Sequence, residues 1–483
     1  MSHQSFHRII FKNTGLFGIS QIIKIAVKVL ANKAAAIFLG TAGIGIIGLL
    51  ENIIGIIQSV TGLGIASSSI REIALVTDET EVENSKEQRL LKIIYHWAIA
   101  TGIIGTIITI IFSKYISEEV FNSDHNFLWI IILSLYFIFS SISSSRLAVL
   151  QAKKMISQIV KFHILTAVIT AILSITLYYW YQKNGIIPVL IGSVFIQFMY
   201  SLYLTRNIKI SSDNIPFKQI FNEGLPMVKL GILLSLSSIF GQICFYIIRW
   251  FLKEYNSFEI LGIYQVSNTL LIGYLGLVFA AMSNDFYPRL CNYESDQKKF
   301  NDLVNDQTEI ALLLVVPAIL IFYLTAPFFI PLLYSKNFLP VIEILKFGLF
   351  AIVLKALVWP IGFISLVKGN KLLFMKQNLL GDAVNVIASI VAFKYFGLLG
   401  LGIALVIMFV ASGFYNYFVS RKIYNFRYRI DTLKIISFSV IIGLIGLFVV
   451  LFLQSTFNYY FLIPLLIISL VFSSINLKSK LKV

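Results

Sequence analysis

Charge is scarce in this chain. Only 13% of its 483 residues are Asp, Glu, Lys or Arg, about half the roughly 25% of an ordinary soluble domain. With 58% hydrophobic residues and a mean hydropathy of +0.86, too little polar surface remains to cover a water-soluble fold. Cysteine is nearly absent. The two present, Cys244 and Cys291, make neither a disulfide framework nor a thiolate metal centre, and both read as packing residues near apolar segments. The five histidines, His3, His7, His96, His125 and His163, are scattered and read as structural or solvated. No G-x-x-x-x-G-K-[ST] loop occurs, which excludes ATP hydrolysis by this chain as a power source. H-E-x-x-H, paired C-x-x-C and G-x-S-x-G are also missing, so no catalytic residue, metal or cofactor is assigned and a non-enzyme is expected.

What the chain has is apolar runs of 18 or more residues from end to end, each long enough to cross a bilayer as a helix. A hydropathy window of about 19 residues resolves about fourteen spans, an all-α integral membrane protein. Six spans fall in 1–210, six in 211–425 and two more in 426–483. Spans two and eight, about 43–70 and about 260–288, are longer than the hydrocarbon requires and are expected to be tilted or broken. His3, His7, Arg8 and Lys12 precede the first apolar run as in a signal peptide, but that run is too long and carries lysines at its centre, so it reads as a retained span.

Lysine and arginine orient the spans. Alternate connections hold 27 of the 39 basic residues and the opposite connections hold 6, which places both termini in the cytoplasm by the positive-inside rule. This asymmetry accounts for most of the net charge of +16, leaving no need for a nucleic-acid partner. The basic side also favours anionic lipid headgroups.

Six cations lie inside spans. Lys33, Lys229 and Lys346 are near enough to a boundary to snorkel. Lys24 and Lys28 are not. At 1.5 Å per residue they sit roughly 13 Å and 18 Å from the two ends of the first span, near the midplane of a slab about 30 Å thick. Gln21, Lys24, Lys28 and Asn32 share an arc of roughly 80° on a helix that is otherwise Ile, Val, Ala, Leu and Phe. One polar stripe on an apolar helix is the wall of a wet cavity, and a cationic wall calls for an anionic substrate. Lys355 lies just before Trp359-Pro360 in the tenth span and is a third candidate for that path, with a carboxylate-paired buried lysine as its alternative. Arg71, Arg249 and Arg289 stand at span ends, where they either anchor to headgroups or offer a guanidinium fork to phosphate. Glu51, Asp285 and Asp382 are the carboxylates at membrane depth, candidates for proton or sodium coupling or for structural ion pairs.

The two halves echo one another. The segment "GTAGIGIIGLLENIIGIIQ...IREIA" from Gly40 to Ala74 is matched by "EILGIYQVSNTLLIGYLG...YPRLC" from Glu259 to Cys291, with Gly45 against Gly262 and Arg71 against Arg289. Parallel repeats of this kind surround a central site in many transporters.

The opening "KVLANKAAAIFLGTAGIGIIGLL" from Lys28, then "TGLGIASSSIREIA" from Thr61 and "YQVSNTL" in the second half, resemble the O-antigen or polysaccharide flippases, the Wzx-type branch of the multidrug/oligosaccharidyl-lipid/polysaccharide exporter superfamily. The resemblance implies two pseudo-symmetric six-helix bundles around a central cavity, followed by two C-terminal helices. It implies a carrier that moves an undecaprenyl-diphosphate-linked oligosaccharide across the inner membrane, alongside polysaccharide polymerase machinery. Lys24 and Lys28 would then attract the diphosphate. Fourteen spans are also found in the lipid II flippase branch, so a peptidoglycan precursor stays open as a substrate, as does a small-molecule exporter of the same fold. A polymerase or ligase would need a sizeable active-site loop on the side opposite the termini, where connections are at most about 13 residues.

Single cysteines placed at Lys154 and Lys209 are expected to react with an impermeant maleimide only after the cytoplasmic side is opened, and one at Lys183 in intact spheroplasts. Labelling from the reverse sides would overturn the orientation.

Overall fold

The computed structural model describes residues 3–77, 83–211, 215–255, 257–453 and 455–481. Its α-helices are α1 (His3–Thr61), α2 (Ile65–Thr77), α3 (Glu83–Ile111), α4 (Ser113–Phe121), α5 (Phe127–Leu133), α6 (Leu135–Ala152), α7 (Ile156–Tyr181), α8 (Ile186–Thr205) and α9 (Phe217–Tyr255). They continue with α10 (Phe258–Asn268), α11 (Gly276–Asn292), α12 (Gln297–Leu333), α13 (Val341–Val367), α14 (Lys371–Phe396), α15 (Leu398–Tyr424), α16 (Ile430–Phe452) and α17 (Ser455–Leu481). No strand occurs among the described residues. Eleven continuous stretches are long and apolar enough to cross a membrane. Three of them, Ile23–Thr61, Ile156–Thr205 and Lys371–Tyr424, at 39, 50 and 54 residues, are each long enough for two crossings, which brings the described residues to the expected fourteen spans.

The chain packs as two units, Met1–Ile243 and Cys244–Val483, dividing within α9. In the first, α1 is interrupted at Gly40, whose φ of 67° and ψ of −167° lie outside the helical range. Glycine meets little penalty at positive φ, so the turn between spans one and two falls there. The expected break in span two is also found. After Thr61 the backbone turns through Leu63 and Gly64, with φ of 49° and 61°, before α2 begins. The break is held by contact of bare backbone. A Cβ on Gly64 would come within 2.2 Å of the Gly231 carbonyl oxygen on α9, and one on Gly231 within 2.2 Å of the Leu63 carbonyl. Around this point Ile65, Ile73, Leu91, Ile94, Val149 and Val228 form the core shared by α2, α3, α6 and α9. At the edge of that core Arg89 on α3 grips Glu223 on α9 through two hydrogen bonds of 2.9 and 2.5 Å.

In the second unit, span eight is also interrupted. A π-helical segment, Thr269–Tyr274, separates α10 from α11; such segments perturb the helix ladder and often mark functional sites. Phe286, Leu290, Phe300, Val304, Ile364 and Phe426 form the core between α11, α12, α13 and the 425–429 link. Asp296 caps α12 by accepting from the Lys299 amide at 3.1 Å, and that backbone hydrogen bond holds its carboxyl below the usual carboxylate range. The last pair of helices is fastened by Arg429, which bonds Glu309 at 3.0 Å and also pairs with Asp306 and Asp302, while Thr432 donates to the same Glu309. Glu309 is 2% exposed, so its charge depends on these partners.

Gly231→Ala is expected to lower the thermal midpoint in detergent by several degrees, because backbone must move to admit the methyl. Gly276→Ala, where nothing lies within 4 Å of the new atom, should leave it unchanged or raise it. Equal midpoints for the two variants would contradict the close approach.

Candidate binding cavity in the first unit

The expected polar stripe faces a cavity of about 460 Å³ bounded by α1, α6, α7 and α8. Lys24, Lys28 and Asn32 line it from α1, and Glu51 joins them from the second half of the same helix. The α7 wall is His163, Thr166, Thr170, Ser174 and Tyr178; α8 adds Ser193 and Gln197. Alanines at 31, 35, 167 and 171 keep the floor open. Both lysines are exposed within this space rather than sealed in packing. Two ammonium groups one turn apart repel each other, and a membrane helix has little reason to keep them unless an anion visits. The ledger of formal charge is two lysines against one carboxylate.

The hydroxyls have fixed roles. Thr166 Oγ1 donates to the Phe162 carbonyl at 2.6 Å, Ser174 Oγ to Thr170 at 2.8 Å and Ser193 Oγ to Leu190 at 2.8 Å. With their protons committed to their own helices, these oxygens meet a ligand as acceptors. Glu51 lies near Tyr136 and Tyr178, and Lys24 lies near Lys28 and His163.

The other candidate residues lie elsewhere. The Gln21 side chain is outside the described residues. Arg71 is exposed on α2. Arg249, 8% exposed, donates to Gln265 Oε1 at 2.8 Å and lies near the rings of Phe245 and Tyr264, so its fork is engaged inside the second unit. Arg289 pairs with Asp285 at 2.9 Å on an exposed face of α11. Lys355 sits over the Phe279 ring at 5.1 Å with no carboxylate at ion-pair distance among the described residues. Asp382, half-buried on α14 and near Cys244, likewise has no hydrogen bond or ion pair there. Lys346 is paired with Glu343 at 2.8 Å.

One sequence expectation is made specific and one is corrected. His163, read as structural or solvated, lines the cavity that Lys24 also lines, because α7 packs along α1. Cys291, read as a packing residue, is exposed, whereas Cys244 is buried. Sequence reasoning also missed Thr166, Thr170, Ser174 and Tyr178. Their i, i+4 spacing along an apolar helix was the signal available, and it marks one polar stripe as clearly as that of the first span.

The fold is that of transporters of the multidrug/oligosaccharidyl-lipid/polysaccharide superfamily. The chain is similar to a lipid II flippase MurJ in an inward closed conformation, at 17% identity and a TM-score of 0.68, over 98% of this chain and 100% of that one. It is also similar to an inward-facing multidrug resistance MATE family transporter, at 15% identity and 0.66, over 83% and 97%. A superfamily transporter from Pyrococcus furiosus described as having a binding pocket of reverse polarity aligns at 15% and 0.59, over 85% and 96%. No curated protein matches the chain. Residues 34–343 match the family model described as "Polysaccharide biosynthesis protein", and the chain belongs to that family. Its many long apolar helices make it a multi-pass membrane protein with that fold.

A cysteine at Thr166, in a background lacking Cys244 and Cys291, is expected to react faster with an anionic methanethiosulfonate than with a cationic one, roughly tenfold, from local cationic focusing. Lys24→Ala/Lys28→Ala should erase the preference. A faster cationic reagent would refute a cationic cavity.

Proposed function

We propose that the protein is a flippase that carries an undecaprenyl-diphosphate-linked oligosaccharide, an O-antigen or other surface-polysaccharide repeat unit, from the inner to the outer leaflet of the bacterial cytoplasmic membrane. The observation that carries this reading is the pair Lys24 and Lys28 opening into a polar cavity at membrane depth, in a chain of the polysaccharide biosynthesis family. A diphosphate supplies two adjacent anionic centres for two adjacent ammonium groups. It is also the one strongly charged part of a lipid-linked sugar, and the hardest to take through hydrocarbon. In this reading both termini are cytoplasmic, the chain performs no chemistry on its substrate, and lipids and a polysaccharide polymerase are its neighbours.

The power source is a proton or sodium gradient, or the membrane potential itself, with alternating access between the leaflets. Among the three candidate carboxylates, Asp382 fits coupling best. Asp285 is neutralised by Arg289, and Glu51 belongs to the cavity, whereas Asp382 has no partner among the described residues and can change charge when an ion binds.

In cells that depend on this gene, depletion is expected to accumulate lipid-linked oligosaccharide in the inner leaflet. At matched protein levels Lys24→Ala/Lys28→Ala should fail to restore surface polysaccharide, and Asp382→Asn should slow transport and remove its ion dependence. Accumulated lipid II would identify a peptidoglycan-precursor flippase instead. Sensitivity to cationic dyes with intact polysaccharide would identify a drug exporter.

A further inference from the structure

The cavity is polarised along its length. The part of α1 before Gly40 and α7 run side by side in the same direction, since the Lys24 charge acts on His163 and, further along, the Phe38 ring meets that of Tyr179 at 5.5 Å. Lys28 is therefore level with Thr166, Asn32 with Thr170, and Ala35 with Ser174. Helix α8 enters at the far end, where a Cβ on Gly192 would come within 2.6 Å of Leu173 Cδ2, so Ser193 stands level with Ser174. Donors gather at one end of the space, in Lys24 and Lys28. Beyond them the lining turns to acceptors, first the Glu51 carboxylate, which its distance from the Gly40 turn sets between the levels of Lys28 and Asn32, then the Ser174 and Ser193 hydroxyl oxygens toward Tyr178.

We propose that this acceptor-rich end is a carbohydrate subsite, built for the first sugar attached to the diphosphate. The proposal rests on the flippase reading above and adds to it a place for the sugar and a direction for the bound head group. A diphosphate offers only acceptors and belongs among the lysines. A sugar ring offers a row of hydroxyl donors, and two neighbouring hydroxyls can share one carboxylate, with Ser174 and Ser193 taking others and the Tyr178 ring supplying an apolar face. Bare phosphate would be repelled from Glu51, so the carboxylate also sets the direction in which the head group lies. With the termini cytoplasmic, the sugar points toward the outer leaflet and the diphosphate trails.

Binding of farnesyl diphosphate to the purified full-length protein in nanodiscs is compared with that of the same lipid bearing glucose, galactose or N-acetylglucosamine. At least one glycosylated probe is expected to bind roughly tenfold tighter than the bare diphosphate, the yield of one or two net hydrogen bonds. Glu51→Gln combined with Ser174→Ala should abolish that gain, bringing the glycosylated probes to the affinity of the bare diphosphate. Ser193→Ala, a smaller change, should reduce the gain in part, which keeps the test open if the double variant fails to fold. Lys24→Ala/Lys28→Ala should weaken every probe. Equal binding of all probes, or a gain that survives in the Glu51 and Ser193 variants, would overturn the subsite and leave the diphosphate reading standing. No binding of any probe would overturn both.

Discussion

A bilayer interior offers no water, so every polar group that enters it must be answered by the protein itself. The placement of Lys24 and Lys28 follows from that constraint and so does much of the first unit. Two ammonium groups at the midplane cannot be packed against leucine, and α7 and α8 meet them with a wall of hydroxyls, an amide and an imidazole around an open space. The alanines on α1 and α7 are the complement of the same demand. Large side chains there would fill the cavity and leave the lysines in contact with hydrocarbon.

The constraint is met differently in the second unit. Arg249 is satisfied by Gln265 and aromatic faces, Arg429 by three carboxylates, and Arg289 by Asp285 one helical turn away. Lys355 and Asp382 remain without an ion-pair partner among the described residues. The interruptions of spans two and eight, at Leu63 and Gly64 and at Thr269–Tyr274, fall in corresponding spans of the two halves and are built by different means, a glycine contact and a π-helical segment. Similar sequence segments thus share a discontinuity without sharing its local geometry.

The fold was legible because apolar length is a local property. Each span announces itself without reference to any neighbour. Lys24, Lys28 and Asn32 were legible for the same reason, since their stripe is confined to one helix. His163 was not. A single histidine in an apolar segment carries no local mark of function, and its role comes from the packing of α7 along α1. Arg249 shows the opposite error, because a cation at a span end suggests phosphate until Gln265 and Tyr264 are found around it.

By itself, then, the sequence determined that the chain crosses a membrane about fourteen times and that two cations lie deep within the first span. Periodicity and hydropathy act along one helix, and one helix is enough to establish them. Only the tertiary structure decided which polar groups share a space. It set Glu51 and Tyr178 around the same cavity as Lys24 and His163. The physical reason is that hydrogen bonds and charge pairs act over a few ångströms between residues more than a hundred positions apart, and that proximity exists only once the helices have packed.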